Sequence, residues 1–293
     1  MTAISSLLRV RSPLRKILIR VSVCLVVGYV GAIVVLLALQ DRLLYHPLSA
    51  SNRWIDPPAK CEVEEVYLRS ADGMRIHGRW WPCNGTKQAI LFCHSRSGNL
   101  SLALLAEAVA QWHRELGSSL FIFDYPGYGR SEGTPTEEGC YAAAAAAYSW
   151  LTETQRIRPR DLLIVGRSLG SAVAIDLAGR RPHRALVLIS PFTSLPDVAQ
   201  SHYPFLPARW LIKNRFDSFM KIRQCHRPII IVHGTRDRTV PFAQGKRLFE
   251  GASEPKVFVA VEGAGHDDSV LVGLFPNLRE FLANATVSES EDP

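Results

Sequence analysis

The sequence predicts an α/β domain, a mostly parallel sheet with helices on both faces, preceded by one N-terminal membrane-spanning helix. Three observations carry this. Short runs rich in Ile, Leu and Val recur at 87–93 (KQAILFC), 119–124 (SLFIFD), 161–165 (DLLIV), 185–190 (ALVLIS), 228–233 (PIIIVH) and 256–261 (KVFVAV). They alternate with helix-competent stretches, as buried parallel strands and their crossover helices do. The third run leads directly into Gly166-Arg167-Ser168-Leu169-Gly170 and then an apolar helical stretch, so a Gly-x-Ser-x-Gly pattern sits at a strand-to-helix reversal. Finally, Val21 to Leu39 is nineteen residues without a charge.

That apolar run would span ~28 Å as a helix, close to the thickness of a hydrocarbon core. A cleaved signal peptide is the alternative, but its apolar region is usually ~7–15 residues and ends in a small-x-small site. Leu36-Leu37-Ala38-Leu39-Gln40 is a poor cleavage site, so a retained signal anchor is the expectation. Arg9, Arg11, Arg15, Lys16 and Arg20 precede the span with no acid among residues 1–20. This bias predicts a cytoplasmic N-terminus and an extracytoplasmic domain. Gly28 and Gly31 do not form a Gly-x-x-x-Gly pattern, so the oligomeric state stays open. These five bases account for +5 of the net charge of +7, leaving +2 for the rest of the chain. No basic stripe or nucleic-acid motif remains, and nucleic acid is excluded as a partner.

A length of 293 residues accommodates one large α/β domain, with no internal repeat or second domain. The expected organisation is a basic N-terminus (1–20), the anchor (21–39), a juxtamembrane linker (40–60), the catalytic domain (61–285) and a disordered acidic tail (286–293). Within the linker, Leu43, Leu44, Tyr45 and Trp54 suit an interfacial position or packing at the start of the domain. Glu62–Arg69 and Met74–Trp81 flank Asp72-Gly73, a hairpin signal. Cys61 and Cys83 would then face each other, as a disulfide or as two unrelated thiols. A helix is expected over Leu100–Leu116. The stretch Pro126–Gly133 is rich in glycine but lacks dinucleotide-fingerprint spacing, and reads as a loop. Thr134-Pro135-Thr136-Glu137 reads as a helix start, with Thr134 as N-cap, Pro135 at the first position and Glu137 closing a capping box. Ala142–Ala147 in that helix gives a flat face for close packing on a sheet. Further helices are expected over Leu169–Gly179, Pro241–Phe249 and Val270–Leu282.

A serine hydroxyl needs a base within hydrogen-bond reach, and functional groups in parallel sheets gather beyond the carboxyl ends of strands. Two later strands end in suitable groups. PIIIVH is followed by Gly234-Thr235-Arg236-Asp237, and KVFVAV by Glu262-Gly263-Ala264-Gly265-His266. Asp267 and Asp268 are adjacent carboxylates that read as helix N-terminal caps.

The order Ser168, Asp237, His266 resembles the α/β-hydrolase superfamily, in particular its membrane-anchored hydrolase-domain proteins. The resemblance covers about residues 40–282. It rests on Leu44-Tyr45-His46-Pro47, Asp124-Tyr-Pro-Gly-Tyr-Gly-Arg-Ser-Glu-Gly133, Gly166–Gly170, Ser190-Pro-Phe-Thr193, His233-Gly-Thr-Arg-Asp237 and Gly265-His266. It implies an α/β-hydrolase fold with a sheet of the eight-stranded type and a short cap. By the same resemblance Ser168 is the nucleophile, His266 the base, and Asp237 the acid that fixes the His266 tautomer. It also implies an oxyanion hole from the Leu169 amide and one from the loop His94-Ser95-Arg96, at Arg96 or, second, Ser95. Relatives usually carry Gly where this chain has Ser95, which questions that loop's conformation. Arg96 and Arg167 are solvated or structural groups, or else ligands for an anionic acyl donor. Pro191–Arg227, with Phe192, Tyr203, Phe205, Trp210 and Phe216, is the expected cap. It forms an acyl-binding wall, a lipid-dipping surface or simply local packing.

No cofactor motif and no metal-ligand spacing occurs, the six cysteines being scattered. The expectation is a membrane-anchored serine hydrolase of esters or thioesters with a small-molecule or lipid-like acyl substrate. A peptidase of the same fold and a catalytically silent tethered binding module are the alternatives.

Overall fold

The computed structural model describes residues 3–57, 62–103, 105–266 and 274–284, and for 3–12, 14, 103, 105–110 and 284 the backbone alone. The chain divides into two units, Met1–Leu44 and Tyr45–Pro293. The first is a single helix, α1 (Ala3–Leu44), which continues through Pro13. Within it, Arg15–Leu44 is long and apolar enough to cross a membrane. Its Ile, Leu and Val side chains are exposed around most of the helix, as expected of a surface that a bilayer would cover.

The second unit is built on an eight-stranded sheet, whose strands alone are numbered. They are β1 (Glu64–Arg69), β2 (Arg75–Trp81), β3 (Ala89–Cys93), β4 (Ser119–Phe123), β5 (Leu162–Arg167), β6 (Ala185–Ile189), β7 (Ile229–Gly234) and β8 (Lys256–Val261). Their order across the sheet is β1-β2-β4-β3-β5-β6-β7-β8. β2 is antiparallel to both β1 and β4. Every other neighbouring pair is parallel. The reversal between β1 and β2, closed by the Ser70 N–H to the Met74 carbonyl at 3.0 Å, places Gly73 at φ 84°, a conformation that costs glycine little, which is why Asp-Gly marks the hairpin. Cys61 lies outside the described residues.

The crossover helices are α2 (Leu105–Leu116), α3 (Glu137–Ser149), α4 (Leu169–Ala178), α5 (Leu195–His202), α6 (Phe242–Gly251) and α7 (Leu274–Asn284). β3 to β7 are buried along their length except at Arg167, the last residue of β5, which explains why their sequences are continuous apolar runs rather than alternating ones. On one face Ile90, Phe92, Ile122, Val165, Val187 and Val232 pack with Trp112 of α2 and Leu274, Phe275 and Leu278 of α7. On the other face the alanines of α3 are small enough to bring its backbone close to β3, β4 and α4, and Ala143, Ala144 and Ala147 are fully buried.

Two expectations change. The N-cap of α3 is Thr136, not Thr134: the Thr136 hydroxyl accepts the Gly139 N–H at 3.0 Å. Glu137 is not the closing member of a capping box, because its carboxylate instead accepts the Arg215 N–H at 2.7 Å and the Tyr141 hydroxyl at 2.8 Å. Helix α3 also runs on into a π-helical turn, Trp150–Thr154, that the composition did not signal. Second, the stretch read as a linker over 40–60 is not free chain between anchor and domain. Tyr45 is buried, and His46-Pro47 pairs in parallel with Ser97-Gly98. The Asn99 amide donates to the carbonyls of Leu48 (3.0 Å) and Arg53 (2.8 Å), so residues 45–57 are part of the folded domain. The last helix is described from Leu274, so the start expected at Val270 lies outside the described residues. Asp267, Asp268 and the acidic tail 286–293 lie outside the described residues.

One buried histidine makes the domain acid-sensitive. His183, between α4 and β6, is buried; its Nδ1–H donates to the Arg181 carbonyl at 2.8 Å, and its Nε2 has no hydrogen-bond partner among the described residues. Burial pushes its pKa down to about 4. The unfolded chain therefore binds this proton at a higher pH than the folded one, so the stability it confers is complete above the unfolded pKa and is lost as pH falls towards 4. His183→Asn keeps a donor for the Arg181 carbonyl but cannot titrate. Denaturation in detergent at pH 7 and pH 5 should show the wild type losing about 2 kcal/mol more than His183→Asn.

Candidate active site

The site is organised by the reversal from β5 into α4. Ser168 takes φ 53° and ψ −118°, a region that L-residues rarely occupy, and its N–H donates to the Ile189 carbonyl at 2.9 Å. The reversal needs close backbone approach on both sides. A Cβ on Gly166 would stand 2.6 Å from the Ser171 Cα, and one on Gly170 would fall on the carbonyls of Cys93 and His94. The two glycines therefore let α4 rest on the end of β5 and the loop after β3 rest on the first turn of α4. The Ser171 hydroxyl also ties the Gly166 and Ile189 carbonyls together at 3.0 and 3.2 Å.

The loops after β7 and β8 bring the two other groups to this point. His266 Nδ1 lies 2.7 Å from Asp237 Oδ2, and His266 Nε2 lies 3.1 Å from Ser168 Oγ. Burial alone would raise the Asp237 pKa. Hydrogen bonds from His233 and His266, the His266 charge and the Val240 N–H outweigh it and hold the carboxyl well below the usual carboxylate range. An ionised carboxylate only accepts, so Nδ1 carries the imidazole proton, Nε2 is the acceptor and the Ser168 hydroxyl is the donor. Asp237 is fixed independently of His266, since its other oxygen accepts the N–H groups of Thr239 (2.9 Å) and Val240 (2.8 Å).

His233 is a participant that reading the sequence missed. It ends β7, fully buried, with Nε2 3.0 Å from the Val240 carbonyl and 3.4 Å from Asp237 Oδ2. The carbonyl can only accept, so Nε2 carries the proton and faces the acid as well. The absent side chain of Gly245 makes room for this ring, because a Cβ there would fall on His233 Nδ1. In sequence His233 was a strand residue within His-Gly-Thr-Arg-Asp. Its i to i+4 spacing to Asp237 was the available signal, legible only once the turn was known to fold back.

The loop after β3 is held by two segments distant in sequence, at His46 and at 124–128. The Tyr125 hydroxyl donates to the His94 carbonyl (2.8 Å), the Tyr128 hydroxyl to the Arg96 carbonyl (2.6 Å), and the His46 N–H also to the Arg96 carbonyl (3.2 Å). His94, whose pKa burial lowers against the opposing pull of Asp124, spans Ser95 O at 2.7 Å through Nδ1. The Asp124 carboxylate accepts the Leu100 N–H at 2.6 Å. Among the described non-glycine residues, positive φ occurs at Arg156, Ser168, Ser190 and Phe216. Ser95 and Arg96 therefore have ordinary backbone, and the left-handed turn of this loop falls on Gly98 at φ 91°. A glycine at position 95 is not required. Leu169, as the first residue of α4, has an N–H without an intrahelical acceptor, and it stands beside Ser168. Arg167 reaches the His266 carbonyl at 3.3 Å.

Comparison with known proteins agrees with this architecture. The family profile described as alpha/beta hydrolase fold matches residues 88–219. An uncharacterized protein of Mycobacterium tuberculosis is 37% identical over 265 residues, covering 88% of this chain and 92% of its own length. The human alpha/beta hydrolase domain-containing protein 17B is 33% identical over 235 residues, covering 78% of each chain. Among solved structures, an esterase of Pyrococcus furiosus superposes with a TM-score of 0.67 at 17% identity over 83% of this chain and 99% of its own. A puromycin-hydrolyzing peptidase of M. tuberculosis superposes with a TM-score of 0.62 at 19% identity over 78% of this chain and 40% of its own. The two solved proteins speak for the fold alone, since one is an esterase and the other a peptidase. With relatives of this identity and coverage, and with the sheet order and strand-end loops described above, the chain belongs to the α/β-hydrolase superfamily.

Proposed function

We propose that the protein is a membrane-anchored serine hydrolase of esters or thioesters that works through an acyl-enzyme on Ser168. The observation that carries this is the continuous hydrogen-bonded line Asp237–His266–Ser168, with spacings of 2.7 and 3.1 Å. Ser168 Oγ attacks the acyl carbonyl while its proton passes to His266 Nε2. The carbonyl oxygen becomes an oxyanion, held by the Leu169 N–H and by a backbone N–H at Arg96 or Ser95. Collapse breaks the carbonyl–leaving group bond, and His266 hands its proton to the departing alcohol or thiol. Water then gives its proton to His266 as it attacks the acyl-enzyme; the acid leaves and Ser168 takes the proton back. Throughout, Asp237 stabilises the transient imidazolium, and His233, Thr239 and Val240 keep that carboxylate oriented.

For location, α1 is read as a retained signal anchor. The basic residues before it put the N-terminus in the cytoplasm and the hydrolase domain on the far side.

Three measurements test these readings. A fluorophosphonate probe should label the wild type and leave Ser168→Ala unlabelled; equal labelling of both would sink the nucleophile and favour a silent binding module. With p-nitrophenyl esters of increasing chain length, Asp237→Asn should lose about 10³–10⁴ in kcat, because the amide stabilises the wrong His266 tautomer. A peptide p-nitroanilide in the same panel would be turned over at a comparable rate only if the protein were a peptidase. Protease added outside intact cells should remove a C-terminal tag; a tag cleaved only after lysis would reverse the orientation.

A further inference from the structure

The segment between β6 and β7, residues 191–227, splits its aromatic side chains into two sets. Phe192 and Phe216 are buried and hold the segment to the domain. Tyr203, Phe205 and Trp210 point the other way and are 53, 69 and 89% exposed, with Met220 also exposed. Six large hydrophobic side chains are exposed among the described residues after Tyr45, and these are four of them, all within eighteen residues. Leaving so much aromatic surface in water is unfavourable, and scattered surface hydrophobics do not cluster this way.

Charge and position both indicate what covers the cluster. Residues 191–227 hold six Lys or Arg and two Asp. With +5 on residues 1–20 and +4 here, the rest of the chain is left at −2, so the basic excess of the domain falls in the segment that carries the exposed rings. Two of its bases are paired within the domain, Arg209 with Asp197 at 3.3 Å and Lys221 with Asp176 at 2.7 Å, and the Arg209 side chain remains 64% exposed. Arg209 and Arg215 are joined through the Arg215 guanidinium and the Arg209 carbonyl at 2.9 Å, and Lys213 lies between them in sequence. The Phe216 ring meets Tyr45 edge-on, with centroids 6.4 Å apart. Tyr45 is the first residue of the domain and follows directly on Leu44, the last residue of the membrane-competent helix.

We propose that this face is a second membrane contact. Tyr203, Phe205 and Trp210 enter the boundary between headgroups and acyl chains, and Arg209, Lys213 and Arg215 lie against anionic phosphates. Aromatic rings with a polar handle, flanked by bases, match that boundary, into which an apolar face is buried about 5–10 Å. The contact bears on the site as well. The His202 ring at the end of α5 reaches the Thr239 carbonyl at 3.0 Å, and the Thr239 N–H holds Asp237. The proposal rests on the reading that α1 spans a membrane, and the test separates the two.

Trp210 is a built-in reporter. The chain has six tryptophans, none between Val21 and Leu39, and the other five are buried or half-buried. The full chain and Trp210→Phe would be reconstituted in phosphatidylcholine–phosphatidylglycerol vesicles with ordinary or chain-brominated lipid. Bromine quenches tryptophan emission only near contact. The wild type should lose emission in brominated vesicles while Trp210→Phe is nearly unchanged; equal loss in the two proteins, or none in either, overturns the proposal. Vesicles of phosphatidylcholine alone should quench less, and equal quenching there would remove the role assigned to the three bases. Flotation and an alkaline wash check the anchor separately. Protein that washes off overturns the spanning helix, whereas retained but unquenched protein overturns only the second contact. Unchanged fluorophosphonate labelling of Trp210→Phe verifies its fold.

Discussion

The β5–α4 reversal constrains everything around it, because it forces a serine into a backbone conformation costing about 1–3 kcal/mol. Such strain persists only where the surroundings over-determine it. Here the Ser168 N–H is spent on the Ile189 carbonyl, and the Ser171 hydroxyl ties Gly166 to Ile189. The reversal is thereby sewn to β6. Side-chain-free positions at 166 and 170 are a second consequence, since either Cβ would collide with backbone that cannot move. The strained turn lifts the Ser168 hydroxyl to the carboxyl ends of the strands, where the loops after β7 and β8 deliver their side chains.

The opposite wall is held by polar groups drawn from far apart in the chain. Residues 46–53, 94–99 and 124–131 meet in one pad. Gly129 N–H donates to the Leu48 carbonyl at 3.0 Å, Leu48 N–H to the Gly98 carbonyl at 2.9 Å, and Ala50 N–H to the Gly129 carbonyl at 2.8 Å. Gly129 has no side chain because one would fall on the Asp124 carboxylate. A buried network of this kind fixes geometry only when its members are satisfied. Its carbonyl acceptors are supplied by two tyrosine hydroxyls, an asparagine amide and backbone N–H groups, so the loop beside Ser168 is positioned without a glycine at 95.

The acid is governed by the same logic of supply. A carboxylate this close to the core would normally be costly to ionise, and hydrogen bonds from His233, His266, Thr239 and Val240 reverse that tendency. His233 works from behind the acid, and its ring is admitted by Gly245. The domain thus keeps a charged group at the strand ends beside Ser168, while burial lowers the pKa of two other histidines, 94 and 183.

Much of this was legible in the sequence. Continuous apolar runs identified the buried strands, Asp72-Gly73 the hairpin, and Gly-x-Ser-x-Gly the reversal, because each depends on local periodicity or on a backbone conformation that few residues permit. Ser168, Asp237 and His266 could be chosen because strand ends in a parallel sheet are predictable positions. What depended on tertiary structure was everything set by contacts distant in sequence. Residues 45–57 read as linker because proline-rich, unpatterned chain carries no local sign of the Asn99 and Ser97-Gly98 partners that fold it in. The α3 cap moved from Thr134 to Thr136 because Glu137 found stronger use at Arg215 and Tyr141 than in a capping box. His233 joined the acid only when the loop after β7 turned back on it. The aromatics of 191–227 were divided between core and surface by packing that composition alone does not encode.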